Sequence, residues 1–145
     1  MNELFLTGYE GEKIDDFLTR LESTQVTAVV DVREIPLSRK NGFSGNSLEK
    51  ELSVRGIRYY PFSELGSPGE IREELYSTGD YLSFFKQYRK YLHTKKTSIK
   101  NLDELISNEK RATLLCFEKN HELCHRSIIA NELIKIHPHL QVIPL

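Results

Sequence analysis

The sequence predicts an α/β fold: a single domain over residues 1–145, built as a three-layer, Rossmann-like arrangement around a mainly parallel five-stranded sheet. Two observations carry that expectation. Apolar runs of strand length alternate with amphipathic stretches along the whole chain, which argues a parallel sheet covered by helices on both faces. A chain of 145 residues also suits one domain. Chains near that size bury about 70% of the surface they expose when unfolded, enough for a core without staples.

Leu4-Phe5-Leu6-Thr7 reads as the first strand, and Gly8 to Gly11 turns the chain. Ile14, Phe17, Leu18 and Leu21 then follow the i, i+3, i+4, i+7 spacing of an amphipathic helix. Ala28-Val29-Val30 is a buried second strand ending at Asp31. The polar connection from Val32 to Gly45 is long for a compact domain, and such loops are usually functional or mobile. Asn46 or Ser47 can cap a helix from Leu48 to about Val54, with Gly56 as its stop. Ile57 to Tyr60 is the third strand, halted at Pro61. Phe62 to Gly79 reads as a second long loop with one helical turn around Glu70 to Tyr76.

Asp80 caps the next helix. Its stripe of Tyr81, Phe84, Phe85, Tyr88, Tyr91 and Leu92 is read as core. A short helix from about Lys100 to Ser107 leads into the fourth strand, Ala112 to Leu115. The last helix runs from Ser127 to Ile136 and ends before Pro138, and Gln141 to Pro144 is the fifth strand. Right-handed crossovers leave few ways to order these strands, and the predicted order is 3-2-1-4-5. In such sheets ligands bind outside the carboxyl ends of the strands, where the winding reverses. That places Thr7-Gly8-Tyr9, Asp31-Val32-Arg33 and Cys116-Phe117-Glu118 around one cleft.

Composition narrows the function classes. The 39% hydrophobic and 28% charged residues are ordinary for a globular protein. No apolar run approaches the roughly 20 residues of a membrane span, and the first residues lack the pattern of a signal peptide. The expected compartment is the cytoplasm, where the two cysteines stay reduced. A net charge of −1 gives no global field for nucleic acid, although Arg33 to Arg58 and Lys86 to Lys100 are locally basic.

The densest chemistry lies between the fourth strand and the last helix, in Cys116-Phe117-Glu118-Lys119-Asn120-His121-Glu122-Leu123-Cys124-His125-Arg126-Ser127. A plain connector would use Gly, Asn, Asp or Pro. Cys124 sits near a helix start beside His125 and Arg126, a setting that favours the thiolate. Cys116 looks more like a buried small hydrophobe. Glu118 is a candidate general acid or base. Catalytic candidates are therefore Glu118, Cys124 and His125. Arg126 and Ser127 open a helix, where free amides and a guanidinium suit an anion, and the alternative is that Arg126 pairs with Asp31 or Glu118. Thr7, Gly8, Tyr9, Asp31, Arg33 and Ser38 complete the anion- or substrate-binding candidates, with Arg39, Phe43 and Tyr81 as further cleft-lining candidates. No metal is required. If one binds, Cys116, His121, Cys124 and His125 are the ligands, although C-x4-H-x2-C-H is no known finger spacing and adjacent Cys-His ligands fit one tetrahedron awkwardly.

Thr7-Gly8-Tyr9, Asp31-Val32-Arg33 with Pro36 and Ser38, Phe43, Tyr59, Leu65-Gly66, Tyr81 and above all Cys116-x-Glu118 with Cys124-His125-Arg126 resemble the domain-of-unknown-function 488 family. The resemblance spans nearly the whole chain. It implies a compact α/β protein and carries no settled activity. Members often have a histidine or a serine-asparagine pair where this chain has Tyr9-Glu10, so the resemblance assigns Tyr9 no role. A weaker likeness is to rhodanese domains, through Asp31-Val32-Arg33-Glu34 and the passage from strand through cysteine and Arg-Ser to helix. The rhodanese loop is short, whereas Cys116 to Arg126 is too long and Cys124 to Arg126 too short to match it.

The expectation from these residues is an enzyme acting on an anionic small molecule or nucleotide, with nucleic acid as a further partner class and no membrane. The alternatives are a metal- or nucleic-acid-binding module without turnover, and rhodanese-like sulfur transfer.

Overall fold

The computed structural model describes residues 3–145, apart from the side chain of His121. Five parallel strands form one sheet: β1 (Glu3–Gly8), β2 (Ala28–Asp31), β3 (Arg58–Pro61), β4 (Arg111–Cys116) and β5 (Gln141–Pro144). Six helices are described: α1 (Ile14–Ser23), α2 (Gly45–Val54), α3 (Gly69–Thr78), α4 (Tyr81–His93), α5 (Lys96–Asn108) and α6 (Arg126–Ile136). None of the described helices is long and apolar enough to cross a membrane.

Side-chain alternation along the strands divides the core into two layers. Phe5, Val29 and Leu115 face α1 and α2 and bury Phe17, Leu18, Leu21, Leu48 and Leu52. Leu4, Leu6, Ala28, Val30, Ala112 and Leu114 face the other way, against Tyr88 and Leu92 of α4, Ile99, Leu102 and Ile106 of α5, and Ile128, Ile129 and Leu133 of α6. The expected three-layer α/β class is therefore the observed one.

The strand order is β3-β2-β4-β1-β5 rather than 3-2-1-4-5. Strands one and four are neighbours in both orders, but they exchange places. Parallel pairing and right-handed crossovers permit either arrangement. All three apolar runs, Leu4–Leu6, Ala28–Val30 and Ala112–Leu115, are buried enough for a central position. Thr113 and Thr7 mark the β1–β4 pair common to both orders: their hydroxyls meet at 2.5 Å, and Thr113 also donates to the Phe5 carbonyl at 3.1 Å. A pair particular to the observed order is β2–β4, with Ala28 opposite Ala112.

Several boundaries differ from the sequence reading. The second long loop holds a full helix, α3, which ends at Gly79 in the left-handed conformation. Its apolar stripe is weak because it packs mainly on α4 rather than on the sheet. Residue α2 starts from is Gly45, with Ser44 in the cap position instead of Asn46 or Ser47. Helix α5 begins four residues before the expected Lys100. Pro61 pairs with Asp31 within β3, which is tolerated because β3 is an edge strand.

Away from the cleft, Glu109 clamps the end of α5 to the sheet. Its buried carboxylate accepts from both Arg58 nitrogens on one edge, from Thr27 Oγ1 at 2.9 Å and from Tyr60 at 3.2 Å. The Arg58 hydrogen bond, outweighing the cost of burial, holds Glu109 below the usual carboxylate range. A depressed folded-state pKa contributes stability above the unfolded value, lost as pH falls through the folded one. Glu109→Gln is therefore expected to lower stability by about 1–3 kcal/mol at neutral pH. Urea titrations at stepped pH should show that difference shrinking on acidification, and a difference that grows with acid would refute the clamp.

Candidate functional site

The carboxyl ends of β1, β2 and β4 open into a cleft of about 350 Å³. Cys116, Glu118, Cys124 and His125 lie on its floor, Arg33, Ser38 and Tyr9 on one wall, and Ser67, Arg72, Leu75, Tyr76 and Phe84 on the other. The mouth is apolar. Ile35, Leu37, Tyr76, Phe117 and Leu123 line it, and Leu37 and Tyr76 are more than 70% exposed.

The β2 wall is rigid because its charges are satisfied internally. Arg33 grips Asp31 with two parallel hydrogen bonds, Nε to Oδ1 at 2.8 Å and Nη2 to Oδ2 at 2.6 Å. Its Nη1 donates to the Tyr9 hydroxyl at 3.1 Å and the Phe43 carbonyl at 2.8 Å. Tyr59 donates to Asp31 at 2.6 Å. Tyr9 stacks on buried Phe43 at 4.4 Å and meets Phe117 edge-on. Hydrogen bonding and attraction to Asp31 outweigh burial and raise the Arg33 pKa, so this guanidinium is permanently charged and already paired.

The floor gathers two thiols, an imidazole and a carboxylate. Cys116 is the last residue of β4; Cys124 and His125 immediately precede α6. The Cys116 thiol lies 3.1 Å from Glu118 Oε2 and 3.8 Å from His125 Nδ1, and Cys124 Sγ lies 3.5 Å from the same nitrogen. His125 Nε2 is 2.7 Å from the Val32 carbonyl. A carbonyl only accepts, so Nε2 carries the proton and Nδ1 turns toward the sulfurs. Tyr88 packs its ring against the imidazole edge-on at 5.2 Å.

Electrostatics follow from this crowding. The hydrogen bond with Cys124, and then burial, push the Cys116 thiol well above its ordinary value. Burial opposes ionisation of Glu118, but hydrogen bonds led by that from Cys116 outweigh it and hold the carboxyl below its usual range. Burial likewise opposes a charge on His125, and its neighbours Cys116, the Val32 carbonyl and Glu118 outweigh that cost. The floor thus offers a protonated thiol donor, an ionised acceptor and an imidazole drawn toward protonation. That set can transfer protons, supply a sulfur nucleophile or ligate a soft metal.

The sequence-derived candidates separate into two groups. Tyr9, Arg33, Ser38, Glu118, Cys124 and His125 line the cleft, and Cys116 joins them. Thr7, Gly8, Asp31, Arg126 and Ser127 lie outside its lining and build the scaffold behind it, as does Phe43, while Arg39 and Tyr81 are also outside the lining. Ser127 Oγ donates to the Cys124 carbonyl at 3.0 Å. The His121 side chain lies outside the described residues. The sequence reading gives one helical turn at Glu70 to Tyr76 and assigns Phe84 to the core; the structure puts Leu75, Tyr76 and Phe84 on the cleft wall.

Arg126 pairs with neither Asp31 nor Glu118. Its side chain is fully buried, and Nη1 donates to the Thr7 carbonyl at 2.7 Å. Among the described residues, Nε and Nη2 have no hydrogen-bond partner. The guanidinium is wedged beneath Gly8, where a Cβ would overlap the Glu118 carbonyl and crowd Arg126 Nη1 at 2.8 Å. Gly8 is thus required for the close approach of the β1 and β4 loops.

A parallel α/β sheet with a cleft at its winding reversal, floored by two cysteines and a histidine, defines the class of protein. The family model described as "Domain of unknown function DUF488" matches residues 13–133, and the chain belongs to that family. No curated protein and no solved structure matches it.

The burial of Arg126 gives a stability prediction. Arg126→Ala removes the Thr7 hydrogen bond and leaves a cavity, a loss of about 2–5 kcal/mol. Arg126→Met fills the space and removes the unpaired donors, and is expected to remain within about 1.5 kcal/mol of the parent. Equal losses for the two variants in chemical denaturation would show that the charge itself, rather than the volume, is needed.

Proposed function

We propose that this protein is an enzyme whose reaction takes place on the cleft floor, with Glu118, Cys124 and His125 as the proton-transfer and nucleophilic groups. The observation that carries the reading is the convergence of Cys116, Glu118, Cys124 and His125, from two segments of the chain, at separations of 3.1–3.8 Å. Structural cysteines in a core need neither an ionised carboxylate nor an oriented imidazole beside them. The cleft volume of about 350 Å³ fits one small molecule rather than a polymer.

The substrate reading is an anionic molecule with an apolar or planar portion. The collar of Ile35, Leu37, Tyr76 and Phe117 favours the apolar part. For the anionic part the supporting cation is Arg72, half-buried in the cleft wall. Glu34 accepts from its Nη2 at 3.0 Å and the Ser67 carbonyl from its Nη1, so an anion would use the remaining donor protons or displace Glu34. Arg33 serves as a wall rather than an anion ligand, since Asp31, Tyr9 and Phe43 take its donors.

Screening phosphate esters, nucleotides and carboxylate esters for turnover is the test. Cys124→Ser and His125→Ala are each expected to lower kcat/KM by about 10²–10⁴-fold. Arg72→Ala is expected to raise KM for anionic substrates more than it lowers kcat. Ligand binding without any turnover across the screen would favour a binding module instead, and turnover indifferent to both floor substitutions would move the chemistry elsewhere.

A further inference from the structure

The floor geometry suits a coordination shell as well as it suits hydrogen bonding. Tetrahedral zinc holds sulfur at about 2.3 Å and nitrogen at about 2.0–2.1 Å, which places a sulfur and a nitrogen ligand about 3.6 Å apart. The two sulfur-to-Nδ1 separations here are 3.8 and 3.5 Å. All three donor atoms lie within 4.8 Å of one another, on residues that are each buried. The adjacency of Cys124 and His125 is accommodated because His125 takes helical backbone angles in the cap position of α6, letting both side chains turn to one point.

The second shell is also in place. Metal-bound histidines hand their other ring N–H to a carbonyl or carboxylate, which fixes the tautomer and the ring plane. His125 does this through Nε2 and the Val32 carbonyl at 2.7 Å, while Tyr88 holds the ring edge. Two sulfurs and an imidazole select a soft or borderline cation over magnesium or calcium. Three protein ligands with one side facing a cleft is the pattern of a catalytic rather than a structural centre. Glu118 Oε2 stands 3.1 Å from Cys116 Sγ, beside that open side.

We propose that Cys116, Cys124 and His125 bind one zinc-class divalent cation, with the fourth coordination position open to the cleft beside Glu118. The inference deepens the functional reading by naming a cofactor for the same floor and reassigns its parts: with Cys124 and His125 as ligands, Glu118 is the proton-transfer group. It rests on that reading only for the statement that the ion serves turnover. Binding would release the Cys116 and Cys124 thiol protons to solvent and free Glu118 from its hydrogen bond with Cys116. The site would then polarise a water or substrate oxygen, whose proton the Glu118 carboxylate would accept.

The test titrates the 145-residue chain, stripped with chelator and kept reduced by a phosphine, with cobalt(II) and then zinc(II). One equivalent of cobalt should produce the visible bands of a tetrahedral site together with thiolate-to-cobalt charge transfer, and zinc should abolish both. Cys124→Ser and His125→Ala should each weaken binding at least tenfold. Glu118→Gln should keep the bands, since its carboxylate is not a ligand. Should either ligand variant fail to fold by circular dichroism, titration of the parent protein still decides. Failure of the reduced parent to bind cobalt or zinc stoichiometrically at micromolar concentration overturns the proposal, as does binding unchanged in both folded ligand variants. Turnover by metal-free protein would overturn the cofactor role while sparing the enzyme reading. A tight metal site without turnover would remove the enzyme reading and leave the site standing.

Discussion

The hydrogen bond from His125 to the Val32 carbonyl is the constraint on which the cleft depends. It joins groups 93 residues apart, linking the loop after β2 to the start of α6. Its net contribution to stability is modest, about 0.5–1.5 kcal/mol. Its effect on geometry is larger. It selects the ring nitrogen that faces the sulfurs, fixes the plane of the imidazole and holds the β2 wall against the β4 floor. An imidazole free to rotate would present either nitrogen to Cys116 and Cys124, and the chemistry of the floor would be undefined.

Buried cations are handled in two ways, and the difference shapes what the cleft can bind. Arg33 is paired bidentately with Asp31 and lies 5.4 Å from the Tyr9 ring centre, so its charge is neutralised where it stands. Arg126 is buried more deeply, with the Thr7 carbonyl as its acceptor. The Arg33 donors are taken, and Arg126, whose Nε and Nη2 lack partners among the described residues, lies outside the cleft lining. The field there is set instead by Glu118 and by the Glu34–Arg72 pair. A substrate is thus recognised by apolar contact at the mouth and by a small number of polar groups below, the common balance of small-molecule sites.

The layering, the five strands and the position of the cleft were legible in the sequence because each rests on periodicity and on the general rule for winding reversals. Cys124, His125 and Glu118 could be picked out because a connector has no ordinary use for such residues. Cys116 was legible only as an alternative, a packing residue or one of four conditional metal ligands, because a thiol at the end of an apolar strand suits either until the loop is seen to fold back over it. Arg33 and Arg126 read as anion-binding candidates because sequence shows a charge but not the partners the structure gives it. Helix α3 was legible only as one helical turn, for a different reason. It rests on another helix, so its apolar residues need not repeat at the spacing that a sheet demands.

Strand order is where the fold and the site meet. With β4 between β2 and β1, Val32 N donates to the Leu115 carbonyl at 3.1 Å, and the β4 loop emerges between the carboxyl ends of β2 and β1. Had β1 taken the place next to β2, the segment from Asp31 to Arg33 would stand a further strand away, about 4.8 Å, from the end of β4. A 2.7 Å hydrogen bond from His125 to Val32 could not span that gap without unpairing a strand end. The exchange of two strands therefore has a chemical consequence: it brings the carbonyl that orients the histidine within reach of the loop that carries both sulfurs.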